Sequence, residues 1–280
     1  MNIFVTGGAG FLGRHIVEEL SRQGCIPSCS SRRLNALTSK DLEGVDAVIH
    51  SAALKPGSYT EAEFRGVNAE GTRHVVEACV KAGVRRFVHI SSMAVGADRD
   101  DPYSASKKEA EQHVQASSLQ WTIVRPGAIY GFSEWWISYF RLMKKKRLIP
   151  VIGDGEHLIY QIYAKDCARG IVRVAREESG GTIYMASAEP ITYNRYLAVL
   201  RDSLRADFRT VHVPMWVGQI YAAGMRHVLH SPKPQYESDP RKDLTMGSAR
   251  ALECGARTFE LGLAEMLSEL SWDALTRNQS

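Results

Sequence analysis

The sequence has little net charge, few cysteines and no long apolar run, and each shortage excludes a class of protein. Its 280 residues carry 35 Lys and Arg against 31 Asp and Glu, a formal charge of +4, which argues against a nucleic-acid partner. The five cysteines lack zinc spacing and cannot all pair, so we expect reduced thiols and no metal. Without a signal peptide or a bilayer-length apolar stretch, the chain is predicted to be cytoplasmic, with no membrane span.

What the sequence does contain is an alternation of short apolar runs with helical patterns. The apolar runs lie at 2–6, 26–30, 47–50, 86–91 and 121–125, and helical patterns cover 11–23, 68–82 and 103–116. This alternation is typical of βαβ units joined in a parallel sheet. The sequence therefore predicts an α/β fold with a Rossmann-type doubly wound parallel sheet.

The alternation loosens after Pro126. Aromatic residues, a basic run and turns rich in Gly and Pro fill 130–155, and the tail from Pro190 has mostly helical patterns. We predict a dinucleotide-binding core over 1–130, with a returning segment near 151–190. Most of 131–280 is then expected to form a smaller C-terminal substrate lobe rather than an independent domain.

A glycine-rich turn joins the first predicted strand to the first predicted helix. It reads Thr6-Gly7-Gly8-Ala9-Gly10-Phe11-Leu12-Gly13. Gly7 permits the tight turn, Gly10 lets the backbone approach a pyrophosphate, and Gly13 permits close helix–sheet packing. The helix N-terminus then faces the phosphates. We predict that Gly7, Gly10, Phe11, Leu12 and Gly13 bind a dinucleotide; a merely tight turn is the alternative.

No acidic residue follows the second predicted strand, where a carboxylate normally binds the adenosine ribose. The chain reads Ser30-Ser31-Arg32-Arg33 instead. Hydroxyl and guanidinium groups bind the 2′-phosphate that a carboxylate would repel. Ser31, Arg32 and Arg33 therefore favour NADP over NAD as the cofactor. The alternative is a solvated arginine pair in a loop.

Tyr103 and Lys107 are four residues apart at the start of a helical pattern, so they share one face. A neighbouring ammonium favours the phenolate and makes Tyr103 able to exchange a proton near neutral pH. Ser91 and Ser92 end the fourth predicted strand, where ligands bind in open α/β sheets. A serine hydroxyl there can donate a hydrogen bond to a substrate carbonyl. An amphipathic helix with a surface lysine is the alternative.

These motifs, in this order, resemble the extended branch of the short-chain dehydrogenase/reductase family, which is epimerase/dehydratase-like. The matching segments include Gly7-x-x-Gly10-Phe11-x-Gly13, His50-Ser51-Ala52-Ala53, Asn68-Ala69-Glu70-Gly71-Thr72, Ser91-Ser92, Tyr103-x-x-x-Lys107 and Arg125-Pro126-Gly127. The resemblance implies catalytic roles for Ser92, Tyr103 and Lys107. It also implies cofactor contacts from Ala52, Ala53, Ser91, Tyr103, Lys107 and Pro126. Family members commonly form homodimers through the helices predicted at 68–82 and 103–116.

Three functions remain open at this point. We favour an NADP-dependent oxidoreductase that interconverts a ketone and a secondary alcohol on a small-molecule substrate. The substrate contacts are expected from Ser92, Met93, Tyr130, Trp135 and Tyr139. The alternative is a nucleotide-sugar epimerase or dehydratase, or a 4-keto-sugar reductase, which is disfavoured because 157–162 lacks an arginine for a diphosphate. A non-catalytic NADP-sensing regulator is third, but it predicts a degraded Tyr/Lys pair.

A run of aromatic residues at helical spacing precedes a basic run. Trp135, Trp136, Tyr139 and Phe140 are followed by Lys144-Lys145-Lys146-Arg147. The favoured interpretation is a core-facing helix with a solvated charged end. A helix that borders the substrate pocket and a membrane-surface helix are the alternatives.

Overall fold

The computed structural model describes residues 1–30, 33–96, 101–177, 180–187, 189–217, 250–251 and 256–270. These residues fall into two compact units. Unit 1 comprises Met1–Gly127, Ala164–Met185 and the strand Arg250–Ala251, whereas unit 2 comprises Ala128–Tyr163, 186–217 and 256–270. The chain therefore leaves unit 1 after Gly127, returns at Ala164 and leaves again after Met185.

The described helices and strands follow the alternation that the sequence indicates. The strands are β1 (Asn2–Thr6), β2 (Ile26–Cys29), β3 (Ala47–His50), β4 (Arg86–Ile90), β5 (Gln120–Pro126), β6 (Ala128–Tyr130), β7 (Leu148–Ile152), β8 (Leu158–Ile159), β9 (Gln161–Tyr163), β10 (Gly181–Met185), β11 (Ile191–Thr192), β12 (Arg209–Val213) and β13 (Arg250–Ala251). The helices are α1 (Phe11–Arg22), α2 (Glu61–Phe64), α3 (Gly71–Ala82), α4 (Pro102–Gln115), α5 (Glu134–Lys145), α6 (Ala164–Arg176), α7 (Tyr193–Leu204) and α8 (Phe259–Ser268). A π-helical segment, Arg65–Glu70, joins α2 to α3.

The described strands of unit 1 form a parallel sheet in the order β13-β10-β5-β4-β3-β1-β2. Helices α3 and α4 pack with one face of it, and Phe4, Val48 and Phe87 point toward them. Helices α1 and α6 contact each other, and α6 contacts β3, β4 and β5. The chain order reverses between β1 and β3, and in open α/β sheets ligands bind outside the carboxyl ends of the strands at such a point. The predicted doubly wound parallel sheet is confirmed.

One helix begins earlier than the sequence pattern predicts. The pattern places the helix over 68–82, but the helical path starts at Glu61, the first residue of α2. Thr60 caps this start by accepting a hydrogen bond from the Glu63 backbone N–H at 3.2 Å, and the Glu63 carboxylate accepts from the Thr60 N–H at 2.8 Å. The π-helical segment then interrupts the 3.6-residue apolar period, because its bonds close one residue later than those of an α-helix.

Unit 2 is organised around an aromatic core rather than a large sheet. Its strands form three two-stranded pairs among the described residues: β6 with β9, β7 with β12 and β8 with β11. The core contains the buried side chains Tyr130, Ile137, Phe140, Met143, Tyr163, Tyr196, Leu197, Phe208, Phe259 and Leu263. Gly262 of α8 packs so closely on Tyr130 that a Cβ at this position would overlap the tyrosine hydroxyl.

Helix α5 follows the favoured interpretation of the aromatic and basic run. Ile137, Phe140 and Met143 point into the core of unit 2, and Trp136 and Tyr139 pack against it. Trp135 is 57% exposed, and the basic end from Lys145 to Arg147 is exposed. Among the described helices, none combines the length and the apolarity needed to cross a bilayer.

Candidate active site

The glycine turn between β1 and α1 packs against the end of β3. Gly7 has a φ of +69°, and a Cβ there would lie 2.8 Å from the Ala52 Cα. At Gly13 a Cβ would lie 2.7 Å from the carbonyl carbon of Gly7. The Gly10 N–H donates to the Gly7 carbonyl at 2.8 Å, and Gly10 caps α1 without a side chain. The cradle suits a pyrophosphate at the helix N-terminus, because backbone atoms fill the space that side chains would need.

The two hydrophobic residues after Gly10 differ in exposure. Phe11 is half-buried and Leu12 is buried at the start of α1. Ala52 and Ala53 are partly or largely exposed beside the turn, directly after β3. Of the residues predicted to favour NADP, Ser31 and Arg32 lie outside the described residues, and Arg33 is exposed.

Hydrogen bonds of His50 connect three elements at this edge of the sheet. Its Nδ1 lies 2.7 Å from Thr6 Oγ1 and its Nε2 lies 2.9 Å from Thr72 Oγ1, so it links β3 to β1 and α3. Thr6 Oγ1 in turn accepts a hydrogen bond from the Ala52 N–H at 3.3 Å. Burial lowers the pKa of His50 to about 3, and the nearby charge of Lys107 adds to this effect. The neutral ring therefore holds the glycine turn and the Ala52 loop in register.

Asn68 connects the π-helical segment to two neighbours. Its Oδ1 accepts from the Leu54 N–H at 2.7 Å, and its Nδ2 donates to the Leu54 carbonyl at 3.2 Å and to Ser106 Oγ at 3.0 Å. Ser106 lies on α4 between Tyr103 and Lys107. The Asn-x-x-Gly-Thr motif marked Asn68 in the sequence, but it gave no indication of these contacts.

Tyr103 and Lys107 lie on the first turns of α4. Asp101 caps this helix, since its Oδ1 accepts from the Ser104 N–H at 2.9 Å. The ring of Tyr103 is half-buried and packs edge-to-face on Phe64, with 5.9 Å between centroids. Lys107 is 2% exposed, and its Nζ donates to the carbonyl oxygen of Ile90 at 2.6 Å. Burial lowers the pKa of Lys107 to about 8, although the charge of Glu111 raises it.

The two serines after β4 have different surroundings. Ser91 is buried, and its Oγ donates to Glu111 Oε1 at 2.5 Å. Ser92 is half-buried, and its Oγ accepts from the Ala94 N–H at 3.2 Å at the start of a short 3-10 turn. Because Lys107 contacts Ile90, the lysine and Ser92 both lie at the carboxyl end of β4. Met93 follows in the same turn and is half-buried.

Glu111 and Arg125 belong to this site, and sequence analysis assigned neither of them a role. Arg125 Nε donates to Glu111 Oε1 at 2.9 Å, and its NH2 group donates to Glu111 Oε2 at 2.6 Å. The Arg125 NH1 group donates to the Tyr184 hydroxyl at 2.7 Å. The sequence signal that could have indicated Glu111 is its position, one helical turn after Lys107. Pro126 is buried at the end of β5, next to Arg125.

Three residues predicted to contact substrate lie in unit 2. Tyr130 is 1% exposed, and its ring packs on Phe259 and Tyr163 in the core. Trp135 stacks on Tyr139 with 5.6 Å between centroids, and burial raises the pKa of Tyr139.

One group of side chains has the composition of a metal site. Ligand atoms of Glu70, Glu109 and His113 lie within 4.8 Å of one another. Arg65 pairs with Glu109 at 2.7 Å and with Glu70 at 3.2 Å, and Arg73 pairs with Glu70 at 2.9 Å, so two arginines already balance the two carboxylates. We assign no metal to this group.

Comparison with known proteins agrees with the motifs. The profile of the NAD dependent epimerase/dehydratase family matches residues 3–186. The chain is 26% identical over 260 residues to the human sterol-4-alpha-carboxylate 3-dehydrogenase, decarboxylating, which covers 76% of this chain and 69% of that protein. It is 30% identical over 205 residues to the ceramide reductase of Caulobacter vibrioides, which covers 66% of this chain and 64% of that protein.

A solved structure shows the same fold. The structure of MoeE5 in complex with UDP-glucose and NAD superposes with a TM-score of 0.69 at 24% identity, covering 96% of this chain and 98% of that one. The parallel sheet, the glycine turn and the family match are therefore consistent with one another. The chain belongs to the NAD dependent epimerase/dehydratase family, and it is an NAD-dependent enzyme of the extended short-chain dehydrogenase/reductase type.

Proposed function

We propose that this enzyme interconverts a ketone and a secondary alcohol with NADP, and that Ser92, Tyr103 and Lys107 are its catalytic residues. The observation that carries the proposal is the buried amine of Lys107, which is fixed on Ile90 at the strand end occupied by Ser92. Tyr103 precedes this amine by one turn of the same helix. A cation held there favours loss of a proton from the phenol.

The proposed roles follow from these positions. A bound nicotinamide supplies or accepts the hydride. Tyr103 gives a proton to the carbonyl oxygen during reduction and takes it back during oxidation. Ser92 donates a hydrogen bond to the same oxygen as negative charge develops on it. Lys107 stabilises the phenolate form of Tyr103 and binds the ribose hydroxyls.

The glycine cradle supports a dinucleotide as the cofactor. Gly7, Gly10 and Gly13 leave no room for side chains, and the first turn of α1 contains Arg14 but no acidic residue. Phe11, Leu12, Ala52, Ala53, Ser91 and Pro126 are proposed to complete the cofactor contacts. Ser31, Arg32 and Arg33 are proposed to bind a 2′-phosphate, which selects NADP over NAD.

The proposed substrate is a lipophilic ketone. The two enzymes named above act, by their names, on a sterol carboxylate and on ceramide. The described strands β8 and β9 and the residues between them contain no cation that would pair with a diphosphate. Met93, Tyr130, Trp135 and Tyr139 are the other proposed substrate contacts, besides Ser92.

A nucleotide sugar is the second candidate substrate, because MoeE5 was solved with UDP-glucose. In an epimerase or dehydratase the hydride is returned to the substrate, so the cofactor is not consumed. The absorbance of reduced nicotinamide separates the two functions. Continuous loss of absorbance with long-chain ketones supports the oxidoreductase. Conversion of UDP-glucose with no net absorbance change contradicts it.

The catalytic assignment is tested by replacing Tyr103 and Lys107. We expect Tyr103→Phe to lower kcat by about 10²–10⁴-fold, since it removes the proton donor and leaves the ring packed on Phe64. Lys107→Met should lower kcat to a similar degree, whereas the control Lys108→Met, an exposed neighbour on α4, should not. NADPH binding, followed by the fluorescence of the reduced nicotinamide, should survive in Tyr103→Phe. Turnover near the wild-type rate in Tyr103→Phe contradicts the assignment.

The cofactor preference is tested at the arginine pair. Joint replacement of Arg32 and Arg33 by Ala should weaken NADP binding by about tenfold or more and leave NAD binding nearly unchanged. Arg22→Ala is the matched control, because Arg22 is exposed and pairs with Glu19 on α1. Equal losses for both cofactors contradict a 2′-phosphate site.

The proposal also includes a cytoplasmic homodimer. Cys25, Cys29, Cys79 and Cys167 are free thiols, which suits a reducing compartment. Val80 on α3 and Val67 in the π-helical segment are 44% and 37% exposed, which supports an interface through this region. Light scattering should give a dimer that Val80→Glu converts to a monomer; a wild-type monomer contradicts it.

A further inference from the structure

We propose that Glu111 is a positioning residue that joins the proton-transferring helix α4 to the carboxyl ends of β4 and β5 and holds the Lys107 ammonium in place. This inference rests on the proposed function, since it concerns how that site is assembled. Glu111 is 3% exposed, and both of its carboxylate oxygens already accept hydrogen bonds from Ser91 or Arg125, so we assign it a positioning role and no contact with substrate.

The geometry shows one carboxylate that connects three elements. Oε1 of Glu111 accepts from Ser91 Oγ at 2.5 Å and from Arg125 Nε at 2.9 Å, while Oε2 accepts from the NH2 group of Arg125 at 2.6 Å. Ser91 precedes Ser92, and Arg125 precedes Pro126. A bidentate pair with a third hydrogen bond leaves α4 little freedom to slide along the sheet.

The charges in this buried cluster are unequal. Lys107 and Arg125 are cations, and Glu111 supplies the negative charge one helical turn from the lysine. The other titratable groups packed nearby are His50 on β3, His89 on β4 and Tyr184 on β10. Both histidines are held neutral by burial and by the charge of Lys107, so they do not compensate for it. Without Glu111, Arg125 and the almost fully buried Lys107 would lack this negative charge.

Replacement of Glu111 therefore shifts the protonation of the Tyr103–Lys107 pair in one direction, and replacement of Arg125 shifts it in the opposite direction. Glu111→Gln removes a negative charge, so the alkaline limb of the kcat–pH profile for ketone reduction should move down by about one pH unit. Arg125→Met removes a positive charge, so the same limb should move up. A role limited to packing would lower kcat in both variants without moving the limb.

The experiment measures kcat against pH for NADPH-dependent ketone reduction in the full-length chain. Glu109→Gln is the matched control, because Glu109 lies on the same helix and pairs with Arg65 outside the cluster. Thermal unfolding reports whether each variant is folded. Should Glu111→Gln fail to fold, the upward shift in Arg125→Met still decides the matter.

The outcomes separate this inference from the proposed function. Opposite shifts in Glu111→Gln and Arg125→Met, with none in Glu109→Gln, support it. Unchanged limbs, or shifts in the same direction, overturn it even when Tyr103→Phe is inactive. Full turnover in Tyr103→Phe instead shows that the proposed function itself is wrong.

Discussion

The interiors of the two units are built from different chemistry. In unit 1, the edge of the sheet near α3 and α4 buries polar and charged side chains, including His50, Asn68, His89, Lys107 and Glu111. In unit 2, the described core is apolar and combines tyrosine and phenylalanine rings with a larger number of aliphatic side chains. Buried polar groups need partners at fixed distances, whereas apolar rings need only volume and shape. The interior of unit 1 thus depends on hydrogen bonds between particular pairs of side chains, whereas the interior of unit 2 depends on how apolar side chains pack.

The strongest test of this difference is Gly13→Ala in unit 1. The added carbon would collide with backbone atoms of Gly7 and Gly8, which cannot move to another rotamer. We expect a loss of more than about 4 kcal/mol in the free energy of unfolding, together with loss of dinucleotide binding. Gly66→Ala is the control, because a Cβ there meets nothing within 4 Å. A stable Gly13→Ala protein would show that the turn is not rigid.

The next largest effect is expected in the core of unit 2. Phe140 is 1% exposed, so Phe140→Ala should leave a cavity and lower the free energy of unfolding by about 3–5 kcal/mol. Trp135 lies on the exposed side of the same helix, and Trp135→Ala should change stability far less. Urea denaturation measures both. Equal losses would mean that α5 is not packed as described.

A smaller loss of stability, which a second substitution should largely restore, is expected for Gly262→Ala. Gly262→Ala places a carbon on the Tyr130 hydroxyl and 3.3 Å from the Tyr163 Cβ, which should cost about 1–3 kcal/mol. Tyr130→Phe removes the obstructing hydroxyl, so the double variant should recover most of the lost stability. Additive losses in a double-mutant cycle would contradict this contact.

The smallest effect, counted per pH unit on the free energy of unfolding, is expected from the buried histidine His89 of unit 1. Burial lowers the pKa of His89 well below its usual value, and electrostatic interactions with Lys107 and His50 lower it further. Neither ring nitrogen of His89 has a hydrogen-bond partner among the described residues. The unfolded chain takes up protons below about pH 6.5 while the folded ring stays neutral. The free energy of unfolding should therefore fall as pH drops below 6.5, by up to about 1.4 kcal/mol per pH unit for this ring.

His89→Phe should flatten this acid dependence, measured by urea unfolding between pH 4 and 8. His157→Gln in unit 2 is the comparison, because burial lowers the pKa of His157 but leaves the ring partly exposed. We expect little change in slope for that variant. An unchanged slope in His89→Phe would show that His89 does not carry the acid sensitivity.

Strands β1 to β5 of unit 1 were predictable because their information is local, whereas β10 and β13 were not predicted. Buried parallel strands are nearly continuous apolar runs, and the predicted bounds agree with β1 to β5 within one residue at each end. The start of the helix at Glu61 was missed, although Thr60 and Glu63 form a recognisable capping box. The π-helical segment after it shifts the apolar period on which the prediction depended.

The polar connections of the site were less predictable because they are long-range. The family motifs marked Ser91, Asn68 and Arg125, but the partners of these residues come from other elements. Glu111 meets Ser91 across 20 positions of sequence, and no periodicity encodes that contact.

The π-helical segment Arg65–Glu70 makes one stretch of the chain intolerant of changes in length. Each residue of a helix turns the chain by about 100°, so a single deletion here would rotate Asn68 away from Leu54 and Ser106. The helix would become regular and locally more favourable, while the loop after β3 would lose its anchor. Insertions and deletions in related chains should therefore avoid these six residues, even where the surface on either side varies freely.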